Sequence, residues 1–322
     1  MTDHLIHSGN MRGSVLIIDE MHPSIVPGLL KLGFNADYHP EIGRKEILRI
    51  IPEYLGLIVR SKTEADRELI DKAVKLKFIA RAGAGTDKID VDYCAERNIM
   101  ILNSPEGNQD ALAEHATGML LALFNHFHVA DAQVRQFVWD REGNRGVELH
   151  SKTVGIIGYG HMGSAFAKRL AGFSCHVLAY DKYKTGYEDI YVKESTMDDL
   201  FENCDILSLH VPLSDETRGY YNEKFFTGFR KPLWIMNTAR GDILPLADLI
   251  RLLNIGKILG AALDVLEYEN LPAMKNEDKL LFDELIKFKN VILTPHIGGW
   301  THESYKKIND VLLEKIGRLN VI

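Results

Sequence analysis

Short apolar runs alternate with stretches of helical periodicity along almost the whole chain. In the first third, the runs are VLII (15–18), LGLIV (55–59), KFIA (77–80) and IMIL (99–102). Near-continuous apolar strands separated by helices, such as the one predicted at 64–75, are typical of a parallel sheet that is covered on both faces. A second strand–helix series begins at TVGIIG (153–158) and reaches NVILTP (290–295). The pattern predicts an α/β protein with two doubly wound parallel sheets.

A long helix predicted at 109–128 joins the two series. Leu112, Ala116, Met119 and Leu123 recur along it at helical spacing. After the second series, 301–319 reads as a final helix with no strand behind it. Because 322 residues suffice for two compact domains with separate cores, we expect two α/β units in one chain.

The composition narrows the class of protein. Lys and Arg total 38 against 45 Asp and Glu, a net charge of −7, whereas a nucleic-acid-binding surface needs an excess of basic residues. The three cysteines are scattered, without the spacing of a zinc site or a disulfide framework. Residues 1–13 have no apolar segment and read as a loose leader, and no run has the length of a membrane span. These features predict a soluble cytoplasmic protein without a metal, nucleic-acid or membrane partner.

A glycine-rich loop follows the first strand of the second series. Gly158, Gly160 and Gly163 have the G-x-G-x-x-G spacing between an apolar strand and a helix predicted at 164–170. In a dinucleotide site, the first glycine makes the tight turn, the second admits the pyrophosphate, and the third lets the helix pack on the strand. Tyr159, His161 and Met162 belong to the same predicted cofactor site. A cluster of turn glycines is the alternative interpretation.

The next strand of this series ends in Asp181. A carboxylate at this position accepts hydrogen bonds from ribose hydroxyls and repels a 2′-phosphate, which favours NAD over NADP. Lys182 and Lys184 beside it leave some use of NADP open.

Three later strands are each followed by a polar side chain. Arg240 comes after LWIMN, Glu269 after ILGAALDV, and His296 after VILTP. Ligands bind beyond the carboxyl ends of parallel strands, so we expect these side chains to converge on the dinucleotide. Arginine can hold a substrate carboxylate, histidine can exchange the hydroxyl proton, and a neighbouring carboxylate stabilises the imidazolium. The set suits hydride transfer to or from a 2-hydroxy acid.

Taken singly, each of these three residues also has an ordinary structural interpretation. Arg240 could be a helix-end charge, Glu269 a solvated acid and His296 a structural histidine, but their positions at successive strand ends favour catalysis. The other histidines lack this support. His115 lies on the predicted linking helix, and His210 is expected near the adenosine.

Several segments, in the same order along the chain, resemble the D-isomer-specific 2-hydroxyacid dehydrogenases. They are NSPEGNQDALAEHATGMLLAL, GVELHSKTVGIIGYGHMG, HVPLSDETRGYYN, MNTARGDIL, AALDVLEYE and LTPHIGGWT. The resemblance implies a flavodoxin-like, discontinuous substrate domain at 1–104 and 298–322 and a Rossmann NAD-binding domain at 105–297, with the active site in the cleft between them. It also implies a homodimer through the NAD-binding domain, typically along the helix after Asn108.

The resemblance also assigns residues to roles. Arg240, Glu269 and His296 match the catalytic positions of the family. The further cofactor contacts that it implies are His210, Val211, Pro212, Thr217, Thr238, Ala239, Asp264, Gly298 and Gly299.

Within the family, the chain is most similar to the phosphoglycerate dehydrogenase branch. LIVRSKTEAD resembles the segment that meets the substrate phosphate there. Arg60, Ser61 and Lys62 in this segment offer two cations and a hydroxyl to a dianion. A solvated basic turn is the alternative.

Other substrate contacts follow from the same resemblance. ARAGAGTDKID is similar to the loop whose amides hold the substrate carboxylate, around Ala82 and Gly83. Asn108 matches a position in the substrate pocket, and Arg141 in VWDREG matches an additional phosphate contact. The expected reaction is NAD-dependent oxidation of 3-phosphoglycerate, the first step of serine biosynthesis.

Some positions depart from the family pattern and keep other functions open. Trp300 stands where a small residue usually follows the glycine pair, Leu244-Pro245 replaces Val-Asp or Val-Asn, and Asn270 replaces a proline. The chain ends at Ile322, so we expect no C-terminal regulatory domain. A glyoxylate, hydroxypyruvate or D-lactate type reductase is the alternative enzyme, and an NAD-sensing corepressor-like protein is the alternative of another class.

Overall fold

The structure is a computed structural model that describes residues 12–319. Its contacts divide the chain into a first unit, which runs to Asn108 and resumes at Thr301, and a second unit, Gln109–Trp300. The boundaries predicted from the sequence, after 104 and after 297, lie a few residues earlier. Residues 1–11 of the predicted leader lie outside the described residues, and Gly13, which was assigned to the leader, already begins the first strand.

The first unit contains a parallel five-stranded sheet in the order β2-β1-β3-β4-β5, which is the flavodoxin-like order. Its strands are β1 (Gly13–Ile17), β2 (Phe34–Tyr38), β3 (Gly56–Val59), β4 (Phe78–Arg81) and β5 (Met100–Asn103). The apolar runs predicted β1, β3, β4 and β5 but missed β2. This edge strand, FNADY, buries only Phe34, so it has no apolar run to recognise.

Helices cover both faces of this sheet. They are α1 (Ile25–Lys31), α2 (Arg44–Ile50), α3 (Arg67–Lys72), α4 (Val91–Glu96) and, at the end of the chain, α12 (His302–Gly317). The helix predicted at 64–75 is shorter because Asp66 caps it, accepting a hydrogen bond from the Leu69 amide at 3.1 Å. Successive β1 residues pack into two separate buried clusters, Leu16 into one and Val15 and Ile17 into the other.

The long helix α5 (Pro105–Phe124) begins and ends four residues earlier than predicted. It stops because His126 adopts left-handed backbone geometry with φ +53°, which cannot continue a right-handed helix. A separate helix, α6 (Phe127–Arg135), follows. The sequence shows one continuous helical pattern here, and the break is a feature of the structure alone.

The second unit contains a parallel seven-stranded sheet in the order β12-β11-β10-β9-β6-β7-β8. This is the Rossmann order with one further strand, and the order reverses between β6 and β9. The strands are β6 (Thr153–Ile157), β7 (His176–Tyr180), β8 (Lys193–Glu194), β9 (Ile206–Leu209), β10 (Leu233–Asn237), β11 (Ile258–Leu263) and β12 (Val291–Leu293). All except the two-residue β8 coincide with predicted apolar runs.

The helices between these strands are α7 (His161–Leu170), α8 (Met197–Asn203), α9 (Glu223–Phe226), α10 (Leu246–Asn254) and α11 (Asn276–Leu285). Buried side chains fill both faces of the sheet: Ile157 packs into one cluster and Ile156 into the other. Between residues 12 and 319, no helix has the length and apolarity needed to cross a membrane.

Candidate functional site

The glycine loop after β6 requires glycine for two different reasons. Gly158 has φ +92°, and a Cβ there would lie 2.6 Å from the His210 carbonyl oxygen. A Cβ on Gly163 would lie 2.1 Å from the Gly158 carbonyl oxygen, because α7 packs directly against the loop. Neither position admits a larger side chain without backbone movement.

Gly160 is different, because a Cβ there would meet nothing within 4 Å. It is the N-cap of α7, and the first-turn amides of His161 and Met162 have no acceptor within the described residues. Unpaired amides at a helix N-terminus beside open space fit an anion such as a dinucleotide pyrophosphate. The residues present therefore fit the cofactor that the sequence predicts.

Asp181, directly after β7, is tied to backbone amides through both of its oxygens. Oδ2 accepts a hydrogen bond from the Tyr159 amide at 2.8 Å, and Oδ1 accepts from the Tyr183 amide at 2.9 Å and the Lys184 amide at 3.1 Å. The Tyr159 ring is buried and stacks on that of Tyr187 at 4.6 Å. The carboxylate is thus held rigidly beside the glycine loop.

The two lysines beside Asp181 both have partners. Lys182 forms an ion pair with Glu216, and the Lys184 ammonium lies 3.3 Å from the Tyr159 carbonyl oxygen. Since both cations are engaged, neither is held ready for a 2′-phosphate, and the arrangement favours NAD.

The segment after β9 lies against the glycine loop. The His210 amide donates to the Ile157 carbonyl at 2.8 Å, and its ring lies 2.8 Å from the Ser208 hydroxyl. Burial lowers the pKa of His210 to about 4, so this imidazole is neutral at physiological pH. The chain turns after Val211, and the Thr217 hydroxyl closes this turn by donating to the Pro212 carbonyl at 2.7 Å.

Beyond β10, the chain continues through Thr238, Ala239 and Arg240. Thr238 is buried, and its hydroxyl has no hydrogen-bond partner within the described residues, which is a cost unless a ligand supplies one. The Arg240 guanidinium donates to the Ala239 carbonyl at 2.6 Å. A Cβ on Gly241 would lie 1.9 Å from the Leu266 carbonyl carbon, so this segment passes close to the one after β11.

The structure brings His296 and Glu269 together. Nδ1 of His296 lies 2.9 Å from Oε1 and 3.0 Å from Oε2 of Glu269. Both side chains are partly exposed, so the imidazole remains accessible. His296 also has left-handed backbone geometry, with φ +54°, which costs a non-glycine residue about 1–2 kcal/mol. Strain of this kind persists only where surrounding contacts hold it.

Asp264 provides those contacts. It follows β11 directly, although the sequence placed it inside the strand, and its side chain is 1% exposed. Its carboxylate accepts from the Ile297 amide at 2.9 Å and the Gly298 amide at 2.8 Å, and its carbonyl accepts from the His296 amide at 2.8 Å. Gly299 completes this turn, and the half-exposed Trp300 follows.

Burial alone would raise the pKa of Asp264. Hydrogen bonds from His115, Thr294 and the amides of the turn outweigh that effect, and the net pKa lies below the ordinary value. His115 and Thr294 are the residues that the sequence reasoning missed. Both lie in segments that resemble those of the family, but the sequence assigned neither a role, and only their place beside Asp264 suggests one.

Arg240, Glu269 and His296 follow β10, β11 and β12, which are neighbours in the sheet, so all three leave at the same edge. Arg141 lies on an exposed segment between α6 and β6, without a partner in the described part of the chain. It belongs to the second unit, whereas the other predicted phosphate contacts belong to the first.

In the first unit, Arg60 lies at the end of β3. Its amide donates to Asp19 at 2.5 Å, and its guanidinium lies 5.8 Å from the centre of the Tyr305 ring. Burial lowers the pKa of Arg60, while Tyr305, Asp19 and Glu20 oppose that shift. Arginine is not deprotonated in proteins, so the guanidinium carries its charge beside these acidic neighbours.

The structure does not place Lys62 with Arg60. The Lys62 ammonium donates to the Pro40 carbonyl at 2.5 Å and the Ile42 carbonyl at 3.0 Å. Between the two residues, the Ser61 carbonyl accepts from Lys88 at 2.7 Å. A lysine stem is long enough to reach these carbonyls on a neighbouring segment, and the convergence of Lys62 with Arg60 on a phosphate stays a prediction.

The amides of the loop predicted to hold the substrate carboxylate differ in their hydrogen bonding. The Ala82 amide donates to the Val59 carbonyl at 2.8 Å, and the Gly83 amide donates to the Ser104 hydroxyl at 2.9 Å, so neither is available to a substrate. The next two amides, of Ala84 and Gly85, have no acceptor within residues 12–319. The amides of this loop that lack an acceptor therefore lie directly after the predicted pair.

Asn108, in the first unit, resembles Thr238 in having a buried side-chain atom without a hydrogen-bond partner among the described residues. Its Oδ1 is buried and has no hydrogen-bond partner among the described residues. Such an oxygen costs free energy unless a bound molecule donates to it. The place of Asn108 in a substrate pocket stays a prediction.

Residues 117–298 match the sequence model of the D-isomer-specific 2-hydroxyacid dehydrogenase NAD-binding domain. The chain is 35% identical to a D-3-phosphoglycerate dehydrogenase of Archaeoglobus fulgidus, over 94% of this chain and 56% of that protein. It therefore spans about half the length of that curated relative. A hydroxypyruvate reductase of Thermotoga maritima is 37% identical over 85% of this chain and 87% of its own.

The fold comparison agrees with these relatives. The crystal structure of D-lactate dehydrogenase from Aquifex aeolicus, complexed with NAD and lactic acid, matches with a TM-score of 0.80 at 26% identity. The match covers 94% of each chain. The sheet order, the glycine loop and the cofactor-binding domain thus agree with an NAD-dependent protein.

Proposed function

The chain belongs to the D-isomer-specific 2-hydroxyacid dehydrogenases, and from that membership we propose that it interconverts a D-2-hydroxy acid and its 2-keto acid with NAD. The observation that carries the proposal is the His296–Glu269 pair at 2.9 Å, at the same sheet edge as Arg240. A histidine oriented by a carboxylate is the arrangement that general acid–base catalysis requires.

The contacts of His296 assign its two ring nitrogens to different tasks. Nδ1 donates to Glu269, so Nε2 is the nitrogen that accepts the hydroxyl proton of the substrate. The Glu269 carboxylate then stabilises the imidazolium. Arg240 binds the substrate carboxylate through its guanidinium. Bound NAD supplies the hydride acceptor.

Substitution of His296 tests the activity. His296→Gln removes the proton acceptor while the glycine loop stays intact, so kcat should fall about 1000-fold, within the range for a lost acid–base group, with little change in NADH affinity. Turnover of a panel of 2-keto acids with NADH is the measurement, and NADH fluorescence titration is the control. An active His296→Gln variant would refute the assignment. A wild-type protein that binds NADH but reduces none of the acids would favour the sensor function.

For the substrate, we propose 3-phosphoglycerate, which would place the enzyme at the first step of serine biosynthesis. The similarity to D-3-phosphoglycerate dehydrogenase and the charged Arg60 at the end of β3 support this choice. Hydroxypyruvate is the second candidate. The Thermotoga maritima reductase matches over most of both chains, and the Lys62 ammonium is engaged by carbonyls of its own unit.

Arg60→Ala and Lys62→Ala form a matched pair that separates these substrates. If the substrate is phosphorylated, Arg60→Ala should raise KM for 3-phosphohydroxypyruvate by about 100-fold, or about 3 kcal/mol, and leave KM for hydroxypyruvate nearly unchanged. Lys62→Ala should change neither constant by more than about 2-fold, since its ammonium is already bonded elsewhere. Equal effects of Arg60→Ala on both substrates would favour hydroxypyruvate.

We also propose a homodimer formed through the second unit. Exposed apolar side chains cluster on α6 and the segment after it: Phe127, Val134, Phe137, which is 99% exposed, and Trp139, which is 80% exposed. Aromatic surface of this extent is typical of a protein interface. Light scattering tests this proposal. Phe137→Asp with Trp139→Asp should yield monomers, whereas Ile190→Asp, at an 88% exposed position elsewhere in the unit, should leave the dimer intact.

A further inference from the structure

His115 on α5 lies beneath the segments that follow β11 and β12. Its Nε2 is 3.0 Å from the Thr294 hydroxyl and 3.4 Å from Oδ1 of Asp264. The Thr294 hydroxyl is in turn 2.5 Å from the same Asp264 oxygen. The three side chains form one connected group, although the chain separates His115 from Asp264 by most of the second unit.

The direction of each hydrogen bond follows from what each group can donate. An ionised carboxylate only accepts, so the Thr294 hydroxyl donates its one proton to Asp264. The Thr294 oxygen is then left as an acceptor, and Nε2 of His115 must carry the proton that it receives. Without that bond, the hydroxyl has an alternative acceptor, the Met119 sulfur at 3.6 Å. His115 thus favours the Thr294 arrangement that bonds Asp264.

Asp264 in turn holds the turn that carries the proposed proton acceptor. Its carboxylate accepts from the Ile297 and Gly298 amides, and its carbonyl accepts from the His296 amide. His296 has φ +54°, a conformation that persists only when its surroundings enforce it. Any loosening of the Asp264 carboxylate therefore releases the backbone that aims His296 at Glu269.

We propose that His115 is a positioning residue that, through Thr294, fixes the Asp264 carboxylate and so holds the His296 turn in its productive geometry. The effect of His115 on turnover rests on the proposed function, whereas its effect on the backbone turn does not. His115 does not exchange the substrate proton, since its Nε2–H is engaged with Thr294.

Two matched pairs of variants test the proposal. His115→Gln keeps an N–H donor near the position of Nε2, and His115→Leu removes it. Thr294→Ser keeps the hydroxyl, and Thr294→Val removes it. We expect His115→Leu and Thr294→Val to lower kcat about 100-fold, the effect of misplacing a reacting group by about 1 Å, while KM and NADH affinity change by less than about 3-fold. Gln and Ser should restore kcat to within about 5-fold of the wild type.

Hydrogen exchange of the amides of Ile297 and Gly298 gives a second readout that needs no turnover. Exchange should be faster in His115→Leu and Thr294→Val and close to the wild-type rate in His115→Gln and Thr294→Ser. Unchanged exchange in the Leu and Val variants would overturn the proposal, and so would faster exchange with full kcat. A wild-type protein without turnover would refute the proposed function, and the exchange rates would still decide whether His115 holds the turn.

Discussion

Gly163 and Gly160 differ sharply in the space around them, although both belong to the same glycine loop. A Cβ at Gly163 would lie 2.1 Å from a backbone carbonyl oxygen, whereas comfortable contacts are about 3.5 Å. The start of α7 must move by more than an ångström to admit it. A Cβ at Gly160 meets nothing within 4 Å. We therefore predict that alanine at the two positions fails for different reasons.

Gly163→Ala should destabilise the second unit. Overpacking against backbone costs about 3 kcal/mol, the upper end of the usual range, because a carbonyl cannot rotate away as a side chain can. For a unit of this length, that cost lowers Tm by about 6–12 °C. Gly160→Ala should lower Tm by at most about 3 °C, the effect of a poorer N-cap. Its methyl group occupies the space of the pyrophosphate, so Kd for NADH should rise at least about 10-fold, or about 1.4 kcal/mol.

Differential scanning calorimetry and NADH fluorescence titration measure the two effects on the same samples. The result that supports the reasoning is a crossed pattern, in which Gly163→Ala mainly changes Tm and Gly160→Ala mainly changes Kd. Refutation would come from a Gly163→Ala protein that melts with the wild type. Equally decisive would be a Gly160→Ala protein that binds NADH normally, since the open space would then not be where the cofactor lies.

Three further substitutions test single side chains. Glu269→Gln should lower kcat about 100-fold in stopped-flow assays, because the imidazolium loses its counter-charge; a wild-type rate would contradict the proposed role. Arg240→Lys should lower kcat/KM about 100-fold, since lysine cannot form the bidentate pair, and an equal rate would contradict it. The pKa of His210 is about 4 in the folded protein instead of 6.5, so the unfolded chain binds a proton that the buried ring does not. The free energy of unfolding should therefore fall by up to about 3 kcal/mol as pH falls from about 6.5 to 4. Denaturant titrations of His210→Gln should show a correspondingly shallower acid dependence.

Much of the fold is local enough to be predicted. An apolar run such as GLIV at β3 is buried at every position, so its hydrophobicity alone identifies a central strand. The edge strand β2 escapes the same reasoning because one buried residue, Phe34, is enough to anchor it. The break at His126 also escapes, since helical periodicity continues through it.

The residues of the candidate site likewise divide into those that short-range sequence features predict and those that they do not. Gly158, Gly163 and His296 can be found from the sequence, because a turn that needs positive φ, a close helix contact and a strand exit are short-range features. The hydrogen bonds of Lys62 could not be predicted, because its ammonium reaches Pro40 and Ile42 on a separate segment. Which amides of the loop after β4 remain unpaired depends likewise on Ser104, which lies beyond β5.

The sequence by itself determined two parallel α/β units, the dinucleotide loop and the strand ends that carry Arg240, Glu269 and His296. Each follows from periodicity or from conformations that only certain residues adopt within a few positions. Tertiary structure alone decided that His115, through Thr294, supports Asp264 and the strained turn after β12. The physical reason is that hydrogen bonding and burial depend on which distant groups meet, and only the packed chain brings them within 3 Å or so of one another.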